Sequence, residues 1–495
     1  MALFVECKNE KQIQAELKSC NIPISIRQVG YLSKKFIIYL ALAHKESRSK
    51  IKDLLLLRGG YILHLDGTCE GDSPHLMSAL DEIAQIVLDN IKIPSEKADK
   101  IIPFLRRIKQ SYGIPLALVH DMGAGILSAV KEVFPGVADY VCHYHFLRDI
   151  GNDLLGIEYA RIRSELKKHS IRPSLRKIIK ALEERIETQP ELSKSLDCYL
   201  KDEGKTGDVL PSVLAYILSN WIVDANSELN GYGFPFDRSH FIFYKRLKTA
   251  RDIVANLSAK NKKDRYIIRL NRVLGRIIKD SNLKTIASRM EKKVQIFDQL
   301  RDAMRIAFLD GKKGLNDDGE NVDIKTIKEA VTIFRNSSKI KAAVKENVDY
   351  KKMVKQIDKY WEKLFADPIM VTTANGEKIL VQPQRTNNIL ERFFRDLKRM
   401  YRSKSGTKSL NKVIKAMLAD TPLVKNLSNP EYVKIILNGH GTLEERFAEI
   451  DEKLVRQEMK RSEDHQGISA RMKKILRKPN LPSLLTKRSN AAATL

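Results

Sequence analysis

The chain has 495 residues, of which 43% are hydrophobic, so it can bury a sizeable core. Its 88 Lys and Arg against 61 Asp and Glu give a formal net charge of +27, which favours a polyanion such as nucleic acid as partner. The five scattered cysteines form no disulfide framework, the start lacks the plan of a signal peptide, and no apolar run is long enough to span a bilayer. We therefore expect a cytoplasmic protein without membrane contact, associated with the nucleoid if the source is prokaryotic.

The N-terminal part, residues 1–58, is predicted to be helical. Ser25 is placed to cap a helix, and apolar and basic residues alternate at helical spacing in the segment that follows. Two interpretations are open at this stage. The segment is part of a helix-turn-helix that reads DNA, or it is a helix that packs against the core.

Residues 59–150 have the pattern of an α/β fold. The predicted order is β-β-β-α-β-α-β, three strands followed by two crossovers, which gives a mixed sheet in which the first and fourth strands can be neighbours. Ser95 is the predicted N-cap of the first helix between strands and Gly113 its end. The strands are predicted at residues 61–68, 75–80, 85–93, 114–121 and 138–146.

The strand pattern disappears after this region, and residues 151–375 are predicted to form a helical domain. Apolar residues repeat at helical spacing, for example at Leu175, Ile178 and Leu182 and again at Ile267, Leu270 and Leu274. Trp221 lies in this domain and is expected in its core, with a role as a stacking residue for a base as the alternative. Residues 409–495 are again helical and basic and are expected to end in a flexible tail.

Two aspartates stand at predicted strand ends. Asp66 ends the first strand and Asp121 the fourth, so two carboxylates would meet if these strands are adjacent. Like charges at short range repel, and a divalent cation between them removes the repulsion. Oxygen ligands without cysteine suit Mg²⁺ or Mn²⁺. Each aspartate alone is equally compatible with a turn-forming or capping role.

A third carboxylate comes from the segment "QRTNNILERFFRDLKRMYRSKSG", residues 384–406. Glu391 lies on a predicted basic amphipathic helix and would complete a triad that holds two ions about 4 Å apart, the arrangement that activates a nucleophile and stabilises a leaving oxygen in phosphodiester chemistry. The alternative is an ordinary helix in which Glu391 pairs with Arg395. The cations expected to contact DNA phosphates are Arg395, Lys398, Arg399, Arg402 and Lys404.

Three blocks together resemble one family. "LHLDGT", "LVHDMGAGILSAVKEVFPGVADYVCHYHFLRDIG" and "TNNILERFFRDLKRMYRSKSG" are similar to the DDE transposases with an RNase H-like catalytic core, most closely the Mutator-like group and its bacterial relatives. The resemblance places the catalytic, metal-binding carboxylates on Asp66, Asp121 and Glu391. It also implies an RNase H-like core in two parts, residues 59–150 and 376–408, interrupted by the helical insertion.

The resemblance further implies a function and accessory residues. The function is metal-dependent cleavage of DNA at transposon ends and transfer of the 3′-hydroxyl into target DNA, with two Mg²⁺ or Mn²⁺ ions and a homodimer or higher oligomer on DNA. A family C-x-x-H falls on Cys142 and His145, for which packing beneath the strands, a phosphate contact by His145 and half of a zinc site are all open. The family's asparagine pair falls on Asn387 and Asn388.

Two other functions are compatible with the same sequence. The chain could be a catalytically inactive, transposase-derived DNA-binding protein, although such a protein often loses a carboxylate. It could also be an RNase H-like nuclease that cuts DNA without joining it. The long helical insertion and the basic C-terminal region favour the transposase.

Overall fold

The computed structural model of the chain describes residues 8–201, 209–307, 323–406, 409–464 and 470–492. It is mostly helical and contains one mixed five-stranded sheet and a small two-stranded sheet. The chain divides into two compact units. The first combines Met1–Cys142 with Glu362–Leu495, and the second is His143–Trp361.

From residue 8, where the described part begins, the first unit has three helices and continues as the large sheet. The strand order is β3-β2-β1-β4-β5, with β1, β2 and β3 antiparallel and β1, β4 and β5 parallel. The predicted succession of three strands and two crossovers is therefore confirmed, as is the pairing of the first strand with the fourth. The elements are α1 (Glu10–Ser19), α2 (Ile26–Glu46), α3 (Arg48–Leu57), β1 (Ile62–Thr68), β2 (His75–Asp81), β3 (Val87–Ile93), α4 (Ala98–Tyr112), β4 (Ala117–His120), α5 (Ala124–Val133) and β5 (Ala138–Val141).

Three predicted boundaries were wrong. The fifth strand ends at Val141 rather than at residue 146, because its last partner is His120 at the end of β4 and no neighbouring strand continues the ladder. The fourth strand ends one residue before Asp121, so this aspartate lies in the following turn. The cap of α4 is Lys97 and not Ser95, since residues 94–97 form a loop that runs past the end of β1.

The second unit is all-helical among the residues that the structure describes. The apolar faces predicted from helical spacing are buried, as Leu175 and Leu182 in α7 and Leu270 in α11 illustrate. The expectation for Trp221 was wrong: its side chain is 36% exposed, with the Arg246 guanidinium 4.8 Å from the ring centroid. The helices are α6 (His143–Lys168), α7 (Ile171–Thr188), α8 (Pro190–Lys201), α9 (Pro211–Val223), α10 (Ser239–Lys260), α11 (Arg265–Ile278), α12 (Ser281–Met304), α13 (Ile324–Asn336), α14 (Ser338–Glu346) and α15 (Val348–Lys359).

The chain then returns to the first unit. The short helix α16 (Trp361–Leu364) spans the division, and a hairpin that the sequence analysis did not predict follows it as β6 (Ile369–Thr372) and β7 (Lys378–Val381). The remaining helices are α17 (Asn388–Ser405), α18 (Leu410–Ala416), α19 (Pro430–Leu437), α20 (Leu443–Ala448), α21 (Glu452–Asp464), α22 (Ala470–Leu476) and α23 (Leu481–Ala492).

The two faces of the large sheet bury different partners. Leu65 and Leu118 belong to the main core, which also contains apolar residues of α2, α4, α5 and α17. Ile62, Ala117 and Val119 point to the other face, where Ile369 and Val381 of the hairpin pack against them. Side chains that share the second face with Ile62 and Val119 are therefore placed toward the hairpin side of the sheet.

Helix α2 is the segment that the sequence analysis interpreted either as part of a DNA-reading helix-turn-helix or as a packing helix. Ser25 caps it as predicted, through a capping box with Gln28. Phe36, Ile37 and Leu40 are buried in the main core, so one side of α2 packs against the sheet unit, as the packing interpretation expects. No helix within the described parts of the chain is long and apolar enough to cross a membrane.

Gly125 in the first turn of α5 lies against the loop after β3. A Cβ atom added there would stand 1.8 Å from the backbone oxygen of Glu96. We expect Gly125→Ala to destabilise the first unit by about 1–3 kcal/mol, because backbone cannot move aside as a flexible side chain can. Gly156→Ala in α6 is the control, since a Cβ there meets nothing within 4 Å and should be neutral or slightly stabilising.

Stability of the first unit can be measured by thiol labelling of Cys142 in urea. Cys142 is fully buried in that unit, whereas both tryptophans lie in the second unit and report on its unfolding instead. Unchanged labelling of Cys142 in Gly125→Ala would show that the loop accommodates the methyl group and that the close approach has no energetic consequence.

Candidate active site

Asp66 lies near the end of β1, the central strand of the sheet. The strand pairs with β2 on one side and β4 on the other, and Asp66 itself is only 5% exposed. Its Oδ1 accepts a hydrogen bond of 2.8 Å from the backbone N–H of Gly67. Because strand side chains alternate, Asp66 shares its face with Ile62 and His64.

Asp121 occupies the corresponding position after β4. Leu65 and His120 form the last pair between the two parallel strands, so Asp66 and Asp121 are the next residues on each and face the same side. The Oδ1 of Asp121 accepts a hydrogen bond of 3.0 Å from the backbone N–H of Gly123, which orients the carboxylate at the turn into α5.

His120 points away from this face, as the alternation predicts. It is fully buried, and its Nδ1 lies 2.7 Å from the backbone oxygen of Asp121 while its Nε2 lies 3.4 Å from Oδ2 of Asp139. Asp139 also accepts a hydrogen bond from Lys363. His120 therefore supports the turn that carries Asp121 and is itself remote from the carboxylate face.

Glu391 lies in the first turn of α17, which packs against β1. The apolar side of this amphipathic helix holds it in place: Leu390, Phe393 and Leu397 are in the main core, and Phe394 and Tyr401 pack against it half-buried. Glu391 is half-buried. A carboxylate at a helix N-terminus interacts favourably with the positive end of the helix dipole.

Asn387 fastens the start of this helix to β1. Its side chain makes no capping bond; instead its Nδ2 donates to the backbone oxygen of Leu65 at 2.9 Å and its Oδ1 lies 2.9 Å from Nδ1 of His64. Its backbone N–H donates to Sγ of Cys142 at 3.3 Å. Asn387, His64 and Cys142 are all buried, so the helix that carries Glu391 is tied to the residue before Asp66.

A second tether acts through Glu82. Its Oε2 lies 2.8 Å from Nε2 of His64, and its carboxylate accepts from the backbone N–H of Gln384 at 3.2 Å. His64 thus contacts Asn387 directly and is linked to Gln384 through Glu82, so the segment before α17 is held at two points. Sequence reasoning missed His64 and Glu82, although His64 stands two residues before Asp66, where strand alternation places it on the same face.

The electrostatics of Asp66 follow from this gathering of acids. Burial is the largest influence, and the negative charges of Asp121 and Glu391 act in the same direction, so the pKa of Asp66 lies well above its ordinary value. The hydrogen bond from Gly67 acts the opposite way and is outweighed. The strand end therefore favours a proton or a cation.

Glu96 is a fourth carboxylate at the same edge, and sequence reasoning did not identify it. It lies in the loop between β3 and α4, its charge also raises the pKa of Asp66, and its Oε1 lies 3.0 Å from Nδ1 of His75. A Cβ at Gly67 would stand 2.7 Å from that same oxygen, which shows how near the loop comes to β1. Glu96 lies beside the end of β1 because of the path of this loop, and no strand or helix places it there.

The donor atoms are not gathered into one tight group. The ligand oxygens of Asp66, Asp121 and Glu391, all within the described chain, do not form a set in which every atom is within 4.8 Å of every other. A carboxylate oxygen of Glu391 is instead within 4.8 Å of Sγ of Cys142. His145 lies in the first turn of α6 in the second unit, where burial is the main reason that its pKa falls to about 3.

The predicted DNA-contacting cations are on the outward side of α17. Arg395, Lys398, Arg399 and Arg402 are exposed, and Arg399 lies 3.9 Å from Asp396 on the same helix. The side chain of Lys404 lies outside the part of the chain that the structure describes. Asn388, the other member of the asparagine pair, is half-buried at the first position of α17.

No family model matches the chain, and no curated protein sequence is significantly similar to it.

Proposed function

We propose that the first unit is an RNase H-like core and that the protein is a DDE-type DNA transposase, which cleaves phosphodiester bonds at element ends and transfers the 3′-hydroxyl to target DNA. Support comes from the strand order 3-2-1-4-5 with antiparallel and parallel halves, and from acidic residues at the ends of the two central strands. A chain with a formal net charge of +27 suits DNA as a partner.

The observation that carries the proposal is the burial of Asp66 together with its raised pKa. A nearly buried carboxyl whose pKa is raised by three further carboxylates, those of Asp121, Glu391 and Glu96, is an unfavourable arrangement in an isolated fold. Such clusters are characteristic of functional sites, where a bound cation removes the repulsion. Stability alone gives no reason to place Asp66, Asp121 and Glu391 together.

The donor set fits a hard divalent ion. Asp66, Asp121 and Glu391 offer only oxygen ligands, which Mg²⁺ and Mn²⁺ prefer. Because their oxygens are not all within 4.8 Å of one another, two ions about 4 Å apart would suit them better than one. When bound, such ions supply Lewis-acid activation of a nucleophilic oxygen and stabilise the charge on the leaving oxygen.

The residues of the chain would divide the remaining work. Asp66 at the end of β1 and Asp121 in the turn after β4 would form the ion-binding edge, and Glu391 would bring the third carboxylate on α17. Arg395, Lys398 and Arg402 would bind backbone phosphates beside the carboxylates and so position the scissile bond. A homodimer or higher oligomer would hold two DNA ends together.

The test is a cleavage and strand-transfer assay with labelled DNA carrying the ends of the element that encodes the protein. We expect the wild-type protein to nick and join this DNA with Mg²⁺ or Mn²⁺, and Asp121→Asn and Glu391→Gln to lose at least about 10³-fold in rate while still binding it. Asp396→Asn, an exposed carboxylate on the same helix as Glu391, should retain full activity.

Binding of Mn²⁺, followed by electron paramagnetic resonance without DNA, gives a second readout that does not depend on the substrate. Two ions per chain are expected, and fewer in Asp66→Asn. If the wild-type protein binds DNA but never cuts it and binds no Mn²⁺, it is a DNA-binding protein without catalysis. If it cuts without joining, it is a nuclease. If the carboxylate variants cut as well as the wild type, the site is misassigned.

A further inference from the structure

Helix α11 of the second unit differs from its neighbours in its charges. It has arginines at spacings of four, three and four residues and contains no aspartate or glutamate. At 100° per residue these positions fall within an arc of about 60°, so they form one stripe along the helix. All four are exposed: Arg265, Arg269, Arg272 and Arg276.

The opposite side of α11 fixes the direction in which this stripe points. Ile267, Leu270, Leu274 and Ile277 are buried, and the helix packs against α10 and α7. The guanidinium of Arg251 from α10 lies beside the same helix, with its Nε 3.7 Å from the position of a Cβ at Gly275. The arginine stripe is therefore held facing outward by the core of the second unit.

Carboxylates near the helix do not neutralise the stripe. Asp264 at the N-cap pairs with Arg185 at 2.6 Å and accepts from backbone N–H groups of α11. Within the described parts of the chain, no carboxylate oxygen lies within 4.0 Å of the guanidinium nitrogens of three of the arginines: Arg269, Arg272 and Arg276.

A solvated helix face of the same unit looks different. Helix α7 also exposes cations, but it mixes them with acids, and Lys180 lies 3.9 Å from Glu184 at the favourable i,i+4 spacing. Such pairing lowers the positive electrostatic potential at the surface of α7. In α11 the field of four guanidinium groups adds up along one line.

We propose that this arginine face of α11 binds the phosphate backbone of duplex DNA, which gives the second unit a DNA contact separate from the carboxylate site. The proposal rests on the proposed function for its choice of DNA as the polyanion. Arginine binds phosphate with two parallel N–H donors, which suits it to this contact better than lysine. From Arg265 to Arg276 the stripe is about 16 Å long, the length of about five base pairs of duplex.

The experiment measures the affinity of the full chain for duplex DNA as a function of salt, in EDTA so that no cleavage occurs. Arg269→Gln with Arg276→Gln should lower the slope of log K against log salt by about 1.8 and the affinity near 0.15 M salt by about 30-fold. Arg269→Lys with Arg276→Lys keeps both charges and should restore most of the slope. The control is Lys341→Gln with Lys345→Gln on α14, which removes two exposed cations from another helix of the same unit.

The outcomes are distinct. Loss of slope and affinity in the α11 variant alone supports the proposal, and an equal loss in the α14 variant overturns it, since only total charge then matters. Unchanged binding by the α11 variant also overturns it. Competition by polyglutamate as strong as by DNA, lost in the α11 variant, would assign the face to an acidic protein and overturn the choice of DNA. DNA binding is measured without metal. The result for the α11 variants therefore does not depend on whether the wild-type protein cuts DNA.

Discussion

Replacement of Asn387 by alanine is expected to destabilise the first unit by about 3 kcal/mol and to lower the proposed metal-dependent DNA cleavage by about 10²-fold. Asn387 is fully buried and bonds the Leu65 carbonyl and the His64 ring. Alanine leaves both without this partner, and an unsatisfied buried group costs about 1–3 kcal/mol.

The effect on cleavage has a different origin from the effect on stability. Asn387 ties the first turn of α17 to the residue before Asp66, so its loss allows Glu391 to move relative to the strand ends. A displacement of about 1 Å of a catalytic group is enough to lower a rate by about 10²-fold. The observed cleavage rate at saturating Mn²⁺ should fall, because fewer molecules have Glu391 correctly placed, without a matching loss of DNA affinity.

The neighbouring asparagine provides the control. Asn388→Ala removes the same side chain one residue later, where it is half-buried and not part of the network. We expect it to change stability by less than about 0.5 kcal/mol. Hydrogen exchange of β1 measures the stability effect independently of any activity. Equal protection of β1 in Asn387→Ala and Asn388→Ala would contradict the role of the network.

Asp420→Asn is expected to stabilise the first unit at pH 8 by about 2–4 kcal/mol and to have little effect near pH 4. Asp420 precedes the 3₁₀ turn Thr421–Ser428. Burial is the main reason that its pKa rises to about 7; the charges of Asp89 and Glu458 add to the increase, and Arg107 and Arg48 oppose it. Both arginines already form ion pairs with Asp89, and the Nε of Arg107 lies 2.6 Å from its Oδ2.

The sign of the pH dependence follows from the protons bound by each state. Between about pH 4 and pH 7 the folded chain keeps a proton on Asp420 that the unfolded chain has released, since the ordinary pKa is 3.8. The folded state therefore loses stability as the pH rises through this window. Asparagine, which cannot ionise, removes that loss.

Urea unfolding followed by labelling of Cys142 at pH 4.5, 6 and 8 measures this difference. The exposed Asp53→Asn should show no pH-dependent gain. Suppose that the free energies of unfolding of Asp420→Asn and the wild type differ by the same amount at all three pH values. Asp420 would then have the same pKa in the folded and unfolded chain, because water reaches its carboxyl group in the folded state.

The order of the strands in the large sheet and the pairing of its central strands can be read from the sequence. Apolar alternation and turn residues locate the strands, and two crossovers returning to one sheet place the first and fourth strands side by side. The positions of Asp66 and Asp121 on one face follow from that order, because parallel strands end at the same edge. The amphipathic pattern of α17 likewise fixes which of its residues are buried, since burial follows helical period.

The surroundings of these carboxylates, in contrast, depend on contacts between segments far apart in the chain. His64, Glu82 and Asn387 meet across long separations in the chain, and hydrogen bonding between them depends on packing that no local pattern encodes. Glu96 reaches the strand end because Gly125 lets its loop approach α5. The last residues predicted as a fifth strand became helical because no partner strand extends beyond His120, and strand propensity without a partner does not form a sheet.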